Sequence, residues 1–265
     1  MNYMKYSACI EMLFTEQPFL QRIKKAKESG FQAIEFWDWK EKDLQKIKDE
    51  CMANDIKVAA FVGNTAGQMV NPEDNESFIK GVKESIEKAV LLGCENLILT
   101  TNILGEDRSV KPLKNEIPDS KKKENILYIL SELDEIVKKN GITLNIEPLN
   151  VIVDHKGYFL NNSTEGFEAL KKINRKNIKL LYDIYHMQIM EGNLINTITE
   201  NIDIIGHIHI ADVPGRHEPG TGEINYNNIF KILKEIEYKN WVGFEYLPSG
   251  STELSLRMVR KIFEF

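Results

Sequence analysis

The chain has 265 residues, of which 42% are hydrophobic, and a formal net charge of -6. A closed α/β barrel reaches this length as one unit with one large core, so we expect a single domain over residues 1–265. The acidic balance argues against a nucleic-acid partner, because phosphate binding needs an excess of clustered Lys and Arg. Three cysteines without C-x-x-C spacing indicate neither a disulfide framework nor a structural zinc site.

The first residues do not read as a signal peptide, because Lys5, Ser7 and Glu11 interrupt the apolar ones. The sequence also contains no uncharged apolar run of about 18 residues, the length that a membrane-spanning helix needs. We therefore expect a soluble cytoplasmic protein without a membrane partner.

Short β-rich runs alternate with longer amphipathic segments along the chain. The strand candidates are 6–10, 33–37, 57–62, 96–101, 143–148, 178–183, 205–210 and 241–246. The helix candidates are 18–29, 42–54, 76–92, 121–139, 164–172, 188–201, 226–236 and 253–263. Eight strand-then-helix units that close on themselves make a (β/α)8 TIM barrel of the α/β class, whereas an open doubly wound sheet rarely needs eight.

The connection lengths indicate which end of this barrel is functional. Helix-to-strand links are short and carry turn residues, whereas several strand-to-helix links are long, namely 63–75, 102–118, 150–162 and 211–225. In barrels the active site lies at the carboxyl ends of the strands, where the strand-to-helix links begin. The lengths therefore predict a site at that end.

The last four predicted strands each end with a side chain that can bind a metal. These side chains are Glu147, Asp183, His209 and Glu245. A single buried acid is usually explained by a hydrogen bond to a backbone amide or to Arg, but four such groups at one depth favour a cation. Three carboxylates and one imidazole predict Mn²⁺ or Mg²⁺, and Co²⁺ would also fit.

Further polar and aromatic side chains near these strand ends are candidates for substrate contact. They are His186 after the sixth strand, Arg216 and His217 after the seventh, and Trp37 at the end of the second. Each also has a simpler interpretation as a surface histidine, a solvated loop group or a packing aromatic. His207 precedes His209 by two residues and shares its face of the strand, so we predict a structural hydrogen bond to a neighbouring acid.

Longer runs extend the pattern over nearly the whole chain: YSACIEMLFTEQPFLQRIKKAKESGFQAIEFW, NIEPLN, GYFLNN, LLYDIYHMQIMEGNL, HIHIADVPGRHEPGTGEINY and WVGFEYLP. In these runs the chain resembles the hydroxypyruvate isomerase family of the xylose isomerase-like barrels. The resemblance implies a metal-dependent aldose–ketose type isomerase in which Glu147 and Glu245 are both ligands and an acid/base pair. It also implies His186 and Arg216 as substrate contacts, a small sugar or oxo-acid as substrate, and a dimer or tetramer.

One departure leaves the reaction open. The resemblance implies glutamine at position 209, whereas the related ketose 3-epimerases carry histidine, as this chain does. One carboxylate removes a proton beside a carbonyl. If the proton returns to the neighbouring carbon, the substrate is isomerised. If it returns to the opposite face of the same carbon, the substrate is epimerised.

Two alternatives come from other functional classes. An apurinic endonuclease of this superfamily needs further histidines at the ends of the third and fourth strands, near Asn64 and Asn102, where this chain has none. A non-catalytic sugar-binding barrel would not need both Glu147 and Glu245. The sequence therefore favours an isomerase, with a ketose 3-epimerase as the alternative.

Overall fold

Eight parallel strands form a closed barrel in the computed structural model, which describes residues 4–105 and 107–263. The strands are β1 Lys5–Cys9, β2 Ala33–Phe36, β3 Lys57–Val62, β4 Asn96–Leu99, β5 Thr143–Ile146, β6 Ile178–Asp183, β7 Ile205–Ile210 and β8 Trp241–Phe244. Each strand pairs with the next along the chain, and β8 closes the barrel on β1. The predicted (β/α)8 TIM barrel is confirmed.

Helices follow the strands as the periodicity predicts. They are α1 Phe19–Glu28, α2 Leu44–Ala53, α3 Asn75–Leu92, α4 Asp119–Asn140, α5 Ser163–Ile173, α6 Ile184–Met190, α7 Leu194–Asn201, α8 Tyr226–Glu235 and α9 Thr252–Val259. The helix predicted over 188–201 is instead two helices, because Gly192 (φ 62°) and Asn193 (φ 50°) adopt the left-handed conformation, which ends a helix. The first of these helices begins directly after β6.

The interior of the barrel is lined by small and polar side chains where the strands approach one another. Ser7, Glu35, Asn145 and His207 are all buried there, each at most 2% exposed. The helices cover the outside of the barrel with a continuous apolar core. Among the described residues, no helix is both long enough and apolar enough to cross a membrane.

The long connections lie at the carboxyl ends of the strands, as predicted. β4 and α4 are separated by 100–118, β5 and α5 by 147–162, and β7 and α8 by 211–225. The opposite links are short, and left-handed glycines at Gly93 and Gly141 end α3 and α4. The strands therefore present their last residues to a set of long loops.

Gly206→Ala tests how tightly the barrel interior is packed. A Cβ at Gly206 would lie 2.2 Å from Asn145 Oδ1 and 2.7 Å from Lys179 Cβ, so neighbouring strands would have to move. We expect the free energy of unfolding to fall by about 1–3 kcal/mol in urea titrations. Gly250→Ala is the control, since the nearest atom to a Cβ there is 4.0 Å away. An equal effect of both substitutions would contradict this packing.

Candidate active site

Four buried ligand-type side chains meet at the carboxyl end of the barrel. Glu147 follows β5, Asp183 ends β6, His209 lies in β7 and Glu245 follows β8. Asp183 lies opposite His209 in the pairing of β6 with β7, so the two side chains extend from neighbouring strands at one level. Each of the four residues offers one ligand atom, and these atoms all lie within 4.8 Å of one another. The structure therefore brings all four predicted ligands together.

The atoms at the centre of this cluster fit a cation. His209 Nδ1 lies 3.3 Å from Glu245 Oε2, 3.7 Å from Glu147 Oε1 and 4.0 Å from Asp183 Oδ2. His209 Nδ1 and Asp183 Oδ2 are buried, and neither has a hydrogen-bond partner within residues 4–105 and 107–263. Burying such atoms unsatisfied is unfavourable, and a divalent ion would coordinate both. These four residues could therefore hold a metal ion.

Glu35 controls which nitrogen of His209 faces the cluster. Its Oε2 lies 2.8 Å from His209 Nε2, and its Oε1 lies 3.1 Å from His207 Nε2 and also accepts from the Ser7 hydroxyl. Nε2 of His209 therefore carries a proton toward Glu35, while Nδ1 points into the cluster. Carboxylates that bind the far nitrogen of a histidine commonly orient metal ligands in this way. The predicted bond from His207 to an acid is confirmed, and that acid is Glu35.

Burial and neighbouring charges shift the pKa values of three carboxyl groups at this site in different directions. Although burial alone would raise it, His207 and His209 hold the pKa of the Glu35 carboxyl well below its usual range. Burial raises the pKa of Asp183 to about 7, although the Arg216 guanidinium opposes this rise. Burial would also raise the pKa of Glu245, but Arg216 and His209 lower it well below its usual range. Glu35 and Glu245 are therefore held ionised, whereas Asp183 takes up a proton far more readily.

His186 directs a neutral N–H donor at the cluster. The backbone N–H of Asn150 donates to His186 Nδ1 at 3.2 Å, so the ring proton lies on Nε2. Nε2 is buried and lies 3.6 Å from Asp183 Oδ2, and no described residue forms a hydrogen bond with it. Burial, assisted by the nearby Arg216 charge, lowers the pKa of His186 well below its usual value. The neutral ring can therefore donate one hydrogen bond to an oxygen in the cavity.

Glu245 is held through both of its carboxylate oxygens. The Trp37 indole N–H donates to Oε1 at 2.8 Å, and the Arg216 guanidinium forms an ion pair with Oε2. Arg216 also lies 3.8 Å from Asp183, so two protein carboxylates face its positive charge. Trp37 and Arg216 therefore contact the cluster directly.

The structure places His217 differently from its neighbour Arg216. Its Nδ1–H donates to the carbonyl oxygen of Leu247 at 2.7 Å, and the ring does not line the cavity at the cluster. A left-handed backbone at Arg216 (φ 56°) turns that side chain inward. The loop therefore brings Arg216 to the site and leaves His217 outside it.

A cavity of about 600 Å³ opens above the cluster. Arg108 and Lys111, from the loop after β4, line it together with the buried His155, whose Nδ1–H donates to the carbonyl oxygen of Arg108 at 3.0 Å. Sequence reasoning did not identify Arg108 or Glu35. The available signals were an arginine in an unusually long loop and a carboxylate inside a buried strand.

A parallel barrel with three carboxylates and one histidine at its carboxyl end belongs to the class of TIM-barrel enzymes with a candidate metal centre. The family model described as xylose isomerase-like TIM barrel matches residues 23–262, and the chain belongs to this family. Hydroxypyruvate isomerase from Escherichia coli (strain K12) is 34% identical over 265 residues, which cover 96% of this chain and 97% of that protein. The predicted resemblance is thus confirmed, and the chain is an isomerase.

Two further comparisons agree with this family. The 2-oxo-tetronate isomerase of Pectobacterium atrosepticum is 33% identical, and the match covers 94% of each chain. A crystal structure described as an AP endonuclease, family 2, from Brucella melitensis superposes with a TM-score of 0.87 at 28% identity, covering 97% of this chain and 98% of that one. The likeness therefore extends over nearly the whole barrel.

Glu35→Ala tests the buried network beneath the cluster. The change leaves two buried imidazoles without their shared acceptor, so we expect the free energy of unfolding to fall by about 3–5 kcal/mol in urea titrations. Glu253→Ala is the control, because that carboxylate is exposed on α9. A Glu35→Ala protein as stable as the control would show that this carboxylate does not support the two histidines.

Proposed function

We propose that the chain is a divalent-metal-dependent isomerase that interconverts an aldehyde and a ketone in a small oxo-acid or sugar, with hydroxypyruvate as the first candidate substrate. The observation that carries this proposal is the pair Glu147 and Glu245, which belong to the same buried cluster and line the same cavity. The names of the hydroxypyruvate and 2-oxo-tetronate isomerases among the relatives support the choice of substrate.

The two carboxylates are suited to moving a proton between adjacent carbons. One removes a proton from the carbon beside the carbonyl, and the other returns a proton to the neighbouring carbon. Glu245 is fixed by Trp37 and Arg216, whereas Glu147 lies 3.7 Å from His209 Nδ1, beyond hydrogen-bond distance. Glu147 therefore has more freedom to follow the reacting carbons.

Other groups of the chain bind and orient the substrate. The Nε2–H of His186 donates to a substrate oxygen, and its neutral state keeps it a donor without adding charge. A divalent cation, bound by Glu147, Asp183, His209 and Glu245, would stabilise the negative charge of the enediolate. Ligation by oxygen with one nitrogen favours Mn²⁺ or Mg²⁺, and Co²⁺ would also fit.

His209 keeps a second candidate, a ketose 3-epimerase, under consideration. Histidine at this position is the feature that the resemblance associates with epimerases, and the same carboxylates could return the proton to the opposite face of one carbon. An apurinic endonuclease would need histidines at the ends of the third and fourth strands, where this chain has Asn64 and Asn102. Asn64 there bonds to Thr100, and Asn102 bonds to Gln68.

The isomerase assignment is tested by assaying hydroxypyruvate in D₂O by NMR. We expect tartronate semialdehyde with deuterium on the carbon that receives the returned proton, and turnover lower by about 10²–10⁴-fold in Glu147→Gln and Glu245→Gln, because each loses a proton carrier. Glu253→Gln, on the exposed face of α9, is the matched control. Deuterium uptake at C3 of ketoses, with hydroxypyruvate unchanged, would identify an epimerase instead.

Removal of the metal tests its role separately. We expect chelator-treated protein to lose activity and to melt at a lower temperature, and we expect Mn²⁺, Mg²⁺ or Co²⁺ to restore both, because a ligand that binds only the folded state stabilises it. The measurements are turnover and differential scanning calorimetry on the same samples. Full activity in protein shown to be metal-free would contradict the proposed cofactor.

A further inference from the structure

Two arginines line the catalytic cavity, and they differ in their partners. Arg216 forms an ion pair with Glu245 and lies near Asp183. Arg108 lines the same cavity, and no carboxylate of residues 4–105 or 107–263 lies within ion-pair distance of it. The positive charge of Arg216 is thus balanced by the protein, whereas that of Arg108 faces no carboxylate partner in the described part of the chain and can pair with a ligand.

Arg108 is held in place although it belongs to a long loop. Its guanidinium carbon lies 4.9 Å from the centroid of the Trp37 ring, a cation–π contact, and its carbonyl oxygen accepts from the buried His155. Its backbone is left-handed (φ 63°), a conformation that a residue other than glycine adopts at some energetic cost. Such strained residues concentrate at functional sites.

The contact with Trp37 also relates Arg108 to the acid/base pair. The Arg108 guanidinium stacks over the Trp37 indole, and the N–H of the same indole donates to Glu245 Oε1. A group bound by Arg108 would therefore lie on the Trp37 side of the cavity, near Glu245. In the same cavity Lys42 pairs with Glu11, and Arg216 pairs with Glu245. Among the described residues, the lining cations without a carboxylate partner are therefore Arg108 and Lys111.

We propose that Arg108 binds the carboxylate of the substrate, and that the substrate class is therefore oxo-acids and not neutral ketoses. A guanidinium matches a carboxylate with two parallel N–H donors, which gives both strength and orientation. Lys111, exposed at the mouth of the cavity, adds positive charge along the approach. This inference rests on the proposed isomerase function, and it assigns to Arg108 the anion recognition that Arg216 cannot supply while paired.

The first test compares two substrates that differ at one group. Dihydroxyacetone has a neutral CH₂OH where hydroxypyruvate has its carboxylate. We expect the wild type to convert dihydroxyacetone with a kcat/KM at least about tenfold below that for hydroxypyruvate. In Arg108→Gln we expect kcat/KM for hydroxypyruvate to fall at least about tenfold, mostly through a higher KM, and the low value for dihydroxyacetone to stay unchanged. Arg257→Gln on α9, an exposed arginine away from the cavity, should change neither. Equal losses on both substrates, or no loss on hydroxypyruvate, would overturn the assignment.

A second test does not depend on turnover, so it separates this inference from the proposed function. D-glycerate, a hydroxy acid with the same carboxylate, is titrated calorimetrically into metal-loaded and chelator-treated protein. We expect Arg108→Gln to bind at least about tenfold more weakly than the wild type in both states, and Arg108→Lys to recover part of the loss. No binding to the wild type, or equal binding by Arg108→Gln, would overturn the proposal. If the wild type does not convert hydroxypyruvate but Arg108→Gln still loses glycerate binding, the proposed isomerase reaction is refuted and the role of Arg108 in carboxylate binding stands.

Discussion

The site depends on the position of the His209 imidazole, which lies between the Glu35 carboxylate on one side and three further carboxylates on the other. Its Nε2 lies 2.8 Å from Glu35 Oε2, and its Nδ1 faces Glu147, Asp183 and Glu245. Because Glu35 is buried and ionised, it fixes both the tautomer and the orientation of the ring. Without this constraint the histidine could turn its proton toward the cluster, which would then lack a nitrogen ligand.

The architecture of the barrel makes this arrangement possible. Glu35 reaches His209 across the barrel because β8 has a glycine in between. A Cβ at Gly243 would lie 2.5 Å from Glu35 Oε1 and 2.7 Å from His209 Cδ2. Asp183 joins the cluster to the fold in another way: its Oδ1 accepts from the backbone N–H of His186 and so caps α6, while Oδ2 faces the other ligands. One carboxylate thus starts a helix and places His186 beside the site.

The sequence was sufficient for the barrel and for the four-residue cluster, because both follow from local patterns. Strand alternation and loop lengths are properties of short segments, and Glu147, Asp183, His209 and Glu245 each occur at or next to a strand end. Glu35 could not be identified in this way, since its partners are 172 and 174 residues away in the chain.

The sequence patterns also did not predict which loop side chains point into the site. Whether Arg216 or His217 turns inward depends on one left-handed residue, and Arg108 gains its place from contacts with Trp37 and His155. The division of the helix predicted over 188–201 is different, because Gly192 and Asn193 are residue types that favour the left-handed conformation and end helices, a signal that hydrophobic periodicity does not register. Composition and periodicity carry no information about the loop conformations at Arg108 and Arg216.

The most direct measurement is an anomalous difference map from crystals grown with Mn²⁺. His209 belongs to two groups that could hold a metal, one with Glu147, Asp183 and Glu245 on the Nδ1 side and one with Glu35 and His207 on the Nε2 side. The account predicts a single manganese peak within about 2.0–2.4 Å of Nδ1 and of the three carboxylates. A peak between Nε2, Glu35 and His207, or no peak at either position, would contradict it.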